Sequence, residues 1–138
     1  MGSLCLDASV ILASEDPSDS EFAAAAQLVE GTTSIATLDL AYYETSNVAT
    51  RSWQNPSAAS RMIGLIEWIG RDGGVIQADR PLAHATTAIA LEHGITTYDA
   101  AYVAAARSIG AQLVSCDIRD LVSKGLAILP SDVGASAQ

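Results

Sequence analysis

"TTYDAAYVAAARSIGAQLVSCD", residues 96–117, reads as a helix running into a strand, with an aspartate at each border. Thr97 is placed to cap a helix that carries Asp99 in its first turn, and Gly110 is placed to end it. Alanine and aliphatic residues fill the middle, as in a buried helix. "AQLVSCD" (111–117) then reads as a short apolar strand with Asp117 at its carboxyl end. A segment so plainly built for burial keeps two carboxylates at its rims.

The same grammar repeats on either side. "LCLD" (4–7) is a buried strand ending in Asp7, and "ASVILASE" after it begins a helix. In "PSDSEFAAAAQLVEG" (17–31), Ser18 and Glu21 have capping-box spacing and Gly31 closes the helix. "TSIATL" (33–38) predicts a second strand and "DLAYYETSNVATRSW" (39–53) a helix. Asn55 and Pro56 open the next helix, which runs to the glycines at 73 and 74. "GVIQAD" (74–79) predicts a third strand, Pro81 opens a helix and Gly94 ends it. After 117 come a short helix "DLVSKG" (120–125) and a last strand "LAILP" (126–130).

Strands alternating with helices predict a three-layer α/β/α sandwich with a central parallel sheet of about five strands. A length of 138 residues fits one domain, here 1–130, followed by a small polar tail over 131–138 expected to be mobile. No apolar run is long enough to cross a bilayer, and the N-terminal third has no signal-peptide pattern. Cys5 and Cys116 lie in separate apolar runs, which favours buried thiols in a reducing cytoplasm over a disulfide framework. Sixteen acids stand against seven lysines and arginines, a formal net charge of −9 with Lys124 the single lysine. That balance excludes a general phosphate-binding surface of the basic-stripe kind. It leaves room for a metal-assisted enzyme, because a bound divalent cation reverses the local field.

In parallel α/β folds, ligands gather outside the carboxyl ends of strands. Asp7 and Asp117 sit there, Asp99 starts a helix, and Glu44 lies among apolar neighbours in the helix after the second strand. Each acid alone has a structural explanation as a cap or helix-end charge. Together, each pair brought to about 5 Å would repel by about 3 kcal/mol at an effective dielectric of 20. A hard divalent cation with all-oxygen ligation reverses that sign, which points to Mg²⁺ or Mn²⁺ over zinc.

"LDASVILA", "ETSNV", "YDAAYVAAA" and "GAQLVSCD", in that order and spacing, resemble a PIN-domain ribonuclease, in particular the VapC-type toxins of bacterial and archaeal toxin–antitoxin pairs. The resemblance spans Leu4 to about Leu129. It implies that Asp7, Glu44, Asp99 and Asp117 form an acidic quartet holding one or two Mg²⁺ or Mn²⁺ ions for RNA hydrolysis. Asp7 and Asp99 are then expected as direct ligands, with Glu44 and Asp117 ligating or orienting water. Ser9, Asn47 and Ser115 match supporting positions. Arg119 is a candidate contact to a substrate phosphate, with an ion pair to Asp120 or Asp16 the stronger expectation. Asp120 itself reads as a cap or a solvated acid. The resemblance further implies a cognate antitoxin covering the cleft, a homodimer, a cytoplasmic location, no membrane contact, and contact with DNA only through the antitoxin. The strongly acidic charge departs from what an RNA-binding surface suggests.

Other readings fit less well. His84 and His93 lie nine residues apart on one helix, about 180° from each other, and so cannot share a metal. A phosphatase with Asp-x-Asp after its first strand would need an acid where Ser9 stands. A receiver domain would need an acid pair ahead of the first strand's end and a lysine closing the fifth strand. The remaining alternative is a PIN-like scaffold that no longer cleaves and only binds protein or RNA.

Overall fold

The computed structural model describes residues 3–31 and 33–134. Four parallel strands, β1 (Leu4–Leu6), β2 (Ile35–Leu38), β3 (Val75–Ile76) and β4 (Gln112–Val114), form one sheet in the order β3-β2-β1-β4. Leu4 stands opposite Ile35 on one side and Gln112 on the other, and Leu38 stands opposite Ile76. The chain steps outward from β1 to β2 to β3, then returns to place β4 on the far side of β1. The strand order therefore reverses at β1, and a crevice opens above the carboxyl ends of β1 and β4.

Alternation along the strands divides the core between the two faces. Leu4, Leu6 and Val114 face α2 (Phe22–Glu30), packing on Ala25 and Leu28, with Val10 and Ala13 of α1 (Ala8–Ala13) in the same cluster. Cys5, Leu38 and Leu113 face the opposite way, toward the larger cluster. That cluster is built from α3 (Leu40–Asn47), α4 (Pro56–Gly70), α5 (Arg80–His93) and α6 (Thr97–Ser108). Helices on both faces of a parallel sheet give the expected α/β/α arrangement. Alanines at 100, 104, 105 and 106 let α6 approach the sheet closely, and all four are buried. Gly74 is needed where the chain enters β3, because a Cβ there would stand 2.4 Å from the Ile69 carbonyl oxygen. Gly94 ends α5 at φ 64°, a left-handed turn that glycine adopts without strain.

Several local expectations are corrected. The sheet has four strands, not five: the segment at 126–130 contributes a single parallel bridge, Ile128 to Val114. Ile128 donates its N–H to the Leu113 carbonyl of β4 and accepts the Ser115 N–H just beyond it, but the Leu126 N–H is taken by Leu121 and Pro130 has no N–H to extend the ladder. The strand expected over 74–79 is Val75–Ile76 alone, because Ala78 N–H turns to the Asp39 carboxylate and Asp79 caps α5. The Ser18–Glu21 capping box does not form. Ser18 hydrogen-bonds the Asp16 carboxylate, the Glu21 N–H goes to Asp19, and α2 begins at Phe22. Thr96, not Thr97, caps α6. The helix expected at 120–125 is a π-helical turn, Ile118–Val122, capped by Asp117. Of the tail, Pro130–Asp132 form a 3₁₀ turn in which Ser131 donates to the Glu21 carboxylate through both N–H and hydroxyl; residues 135–138 lie outside the described residues. No helix is long and apolar enough to cross a membrane among the described residues.

Candidate active site

The chain leaves β1 at Leu6 and turns straight into α1, so Asp7 becomes the N-cap of that helix. Its Oδ1 accepts from the Val10 N–H (3.3 Å) and from the Ser9 hydroxyl (2.5 Å). Asp7 is 5 % exposed, and burial pushes its carboxyl up to about 6. The Ser115 and Ser9 hydroxyls and the Val10 N–H oppose that rise, while the charge of Asp99 adds to it.

Ser9 ties the two strand ends together. Its hydroxyl accepts the Cys116 N–H at 2.9 Å while donating to Asp7, and it lies 3.4 Å from the Ser115 hydroxyl. Ser115 is buried behind the cleft and accepts the Asp117 N–H at 3.0 Å. The two serines thus fix the backbone that carries Asp7 and Asp117, across 106 residues of sequence.

Glu44 projects from α3 toward α6, where Tyr102 donates its hydroxyl to Oε1 at 2.8 Å. Tyr102 is buried, and burial together with the Glu44 charge drives its pKa far upward, so it remains a donor. Asp99 lies in the first turn of α6, its N–H bonded to Thr96 at 3.1 Å. Its carboxyl is raised first by burial, then by the charges of Asp117, Asp120 and Glu44. Asp117 accepts the Asp120 N–H at 3.0 Å, which orients the π-helical turn.

Asp7, Ser9, Glu44, Asn47, Asp99 and Asp117 line one cleft of about 280 Å³, with Tyr102 in its wall. The fold therefore gathers the four acids singled out in the sequence, together with Ser9 and Asn47. Ser115 lies beneath them, and Arg119 points to solvent, with Nε 3.4 Å from the Asp120 carboxylate. Two participants escaped the sequence reading. Tyr102 looked like one more apolar residue of a buried helix. Asp120, read there as a cap or solvated acid, joins Asp99 and Asp117 in a cluster in which one carboxylate oxygen from each lies within 4.8 Å of the other two. Its three-residue spacing from Asp117 was the available signal.

That donor set suits a hard cation. Asp99, Asp117 and Asp120 would each offer one carboxylate oxygen to it. The like-charge crowding that raises Asp99 is the electrostatic counterpart of that geometry.

A cleft holding four carboxylates at the switch point of a parallel α/β sheet defines a class, and comparison with known proteins supplies the family. The PIN domain matches residues 4–124, and the chain belongs to that family. Its likeness there is to VapC proteins. It is 35% identical over 133 residues to Ribonuclease VapC3 of Pyrobaculum aerophilum, covering 91% of this chain and 97% of that one. Among solved structures, PAE2754 of the same organism superposes with a TM-score of 0.68 at 28% identity, over 99% of this chain and 91% of that chain. A toxin–antitoxin complex from Klebsiella pneumoniae shares the fold, with a TM-score of 0.70 at 17% identity over 93% of this chain and 98% of that chain.

Proposed function

We propose that this protein is a Mg²⁺- or Mn²⁺-dependent endoribonuclease, the toxin of a toxin–antitoxin pair. The observation that carries the reading is the convergence of Asp7, Glu44, Asp99 and Asp117 on one small cleft, with Asp120 at its edge. Among the described residues no basic side chain lines that cleft, so the phosphate of an incoming RNA meets no cation of theirs there. A bound divalent cation supplies a water of lowered pKa and neutralises charge on the phosphate oxygens.

The chain's own residues divide the remaining work. Asp99, Asp117 and Asp120 would hold the cation, with Asp7 behind them as a ligand fixed by Ser9 and Val10. Glu44 is clamped through Oε1 by Tyr102, leaving Oε2 to accept a hydrogen bond from water entering the cleft. Asn47, one helical turn beyond Glu44, offers an amide at the rim. Arg119 is placed to reach a phosphate only after leaving Asp120.

The partners follow from the same site and from the relatives. A cognate antitoxin segment, with an arginine reaching the carboxylates, would silence the cleft, and DNA contact would come only through that antitoxin. We expect a homodimer working in the cytoplasm. Incubating the purified protein with total RNA, with and without Mg²⁺ or Mn²⁺, tests the reading. Cleavage that needs the metal and disappears in Asp99→Ala supports it; metal-independent cleavage, or cleavage that persists in Asp99→Ala, contradicts it.

A further inference from the structure

We propose that Tyr102 is a positioning residue of the acidic cleft: it holds one oxygen of Glu44 so that this carboxylate acts through water and stays out of the shell of a bound cation. The inference rests on the ribonuclease reading and adds how Glu44 differs from the aspartates around it.

Tyr102 follows Asp99 by three residues, so one face of α6 brings both to the cleft. Its ring belongs to the larger core cluster with Cys5, Ile11 and Ala41, and the residue is 2 % exposed. A tyrosine has only two side-chain torsions. With the ring packed, neither turns freely, and the hydroxyl becomes a fixed point in the cleft wall. Glu44 is half-buried and reaches the cleft from α3 on a longer, more flexible side chain. Among the described residues the Tyr102 hydroxyl, 2.8 Å from Oε1, is the one donor to its carboxylate. Asp7 and Asp117 are oriented by near neighbours in sequence, Ser9 with Val10 and the Asp120 N–H. Glu44 is oriented from 58 residues away.

Topology sets Glu44 apart in a second way. β2 and β4 flank β1, so their carboxyl ends stand about 10 Å apart. Asp117 and Asp120 follow β4, whereas Glu44 lies on the helix after β2. The acids whose oxygens cluster are Asp99, Asp117 and Asp120, and among the described residues Glu44 joins no such group. Its charge acts on Asp99 less strongly than those of Asp117 and Asp120. A carboxylate held on the α3 wall of the cleft meets that cluster through water, with Oε2 as the acceptor.

Removing the hydroxyl therefore has two opposite consequences. Both Glu44 oxygens become free to ligate, so a cation is held more tightly. Water in the cleft loses a fixed acceptor, so turnover slows. A tyrosine that only fills the core and satisfies its own hydroxyl would change stability and neither of these.

The test compares wild type, Tyr102→Phe, Glu44→Ala and the double variant. Mn²⁺ titrations are read by the paramagnetic resonance of the free ion, beside RNA cleavage and melts in EDTA. For Tyr102→Phe, Mn²⁺ affinity is expected to be about tenfold tighter and kcat about tenfold lower, with KM within about twofold. In the Glu44→Ala background the same substitution is expected to change Mn²⁺ affinity by less than about twofold, because Tyr102 acts through Glu44. Glu44→Gln, which keeps the acceptor for Tyr102 and leaves the core untouched, is expected to bind Mn²⁺ within about threefold of wild type; a loss beyond about tenfold would make Glu44 a direct ligand and overturn the inference.

Equal or weaker Mn²⁺ binding by Tyr102→Phe, an unchanged kcat, or the same affinity change in both backgrounds also overturns it. A wild type that binds Mn²⁺ and cuts RNA then leaves the ribonuclease reading standing. A wild type that neither binds Mn²⁺ nor cuts RNA removes both.

Discussion

Replacing Asp7 with asparagine should make the metal-free protein more stable, and only above the pH at which Asp7 ionises. Burial raises the Asp7 carboxyl from 3.8 to about 6 in the folded protein. Between those values the folded chain holds a proton that the unfolded chain has released, so stability falls as pH rises through the window and is level above it. A rise of roughly two pKa units corresponds to about 3 kcal/mol of lost stability at neutral pH. Asparagine keeps an oxygen for the Ser9 hydroxyl and the Val10 N–H but brings an amide group that needs an acceptor, which takes back about 1–2 kcal/mol. In EDTA at about pH 8, Asp7→Asn is expected to melt several degrees above the wild type, at roughly 3 °C per kcal/mol for a chain of this size. Near pH 4 the difference should shrink to the cost of the amide. Adding Mn²⁺ should stabilise the wild type more than the variant, by mass action on the folded state. Thermal melts by circular dichroism across this pH range check all three. A gap of the same size at both pH extremes, or a wild type still the more stable at about pH 8 without metal, would refute the reasoning.

Ser9→Ala removes the acceptor of the Cys116 N–H and a donor to Asp7, so it should cost about 1–3 kcal/mol in urea unfolding and loosen metal binding as well. Tyr102→Phe leaves the packing of α6 in place but frees Glu44; kcat on RNA should fall about tenfold with a stability loss near 1 kcal/mol, measured by single-turnover cleavage and melting. Asp120→Asn should weaken Mn²⁺ affinity in calorimetry by about tenfold, whereas Arg119→Ala, releasing only a surface ion pair, should leave stability within about 0.5 kcal/mol.

The parts legible in the sequence were those where one residue type carries one physical meaning. Short apolar runs ending in an acid marked the carboxyl ends of β1 and β4, and parallel topology placed both at the same crevice. Asn55 and Pro56 opened α4, and Gly94 closed α5, because caps and left-handed turns leave few alternatives. Competition between equivalent partners defeated the rest. Ser18 could cap α2 or bond Asp16, and the nearer carboxylate won. Asp120 reads as a cap or solvated acid of the next helix; the turn that starts at Ile118 instead carries it toward Asp117 and Asp99. Tyr102 was hidden by its own burial, since nothing in "AYVAAA" tells which of its atoms meets a carboxylate 58 residues away. The apolar strand pattern at 126–130 overstated a segment that contributes one bridge.

Soaking crystals of the protein in Mn²⁺ and recording anomalous scattering addresses the carboxylate cluster most directly. The expected result is a single strong peak in the cleft, within bonding distance of Asp99 and Asp117 and with Asp7 or Asp120 completing the shell. An empty cleft at saturating Mn²⁺, or peaks confined to surface acids such as Asp72, would contradict the assignment of this cleft as a metal-dependent catalytic centre.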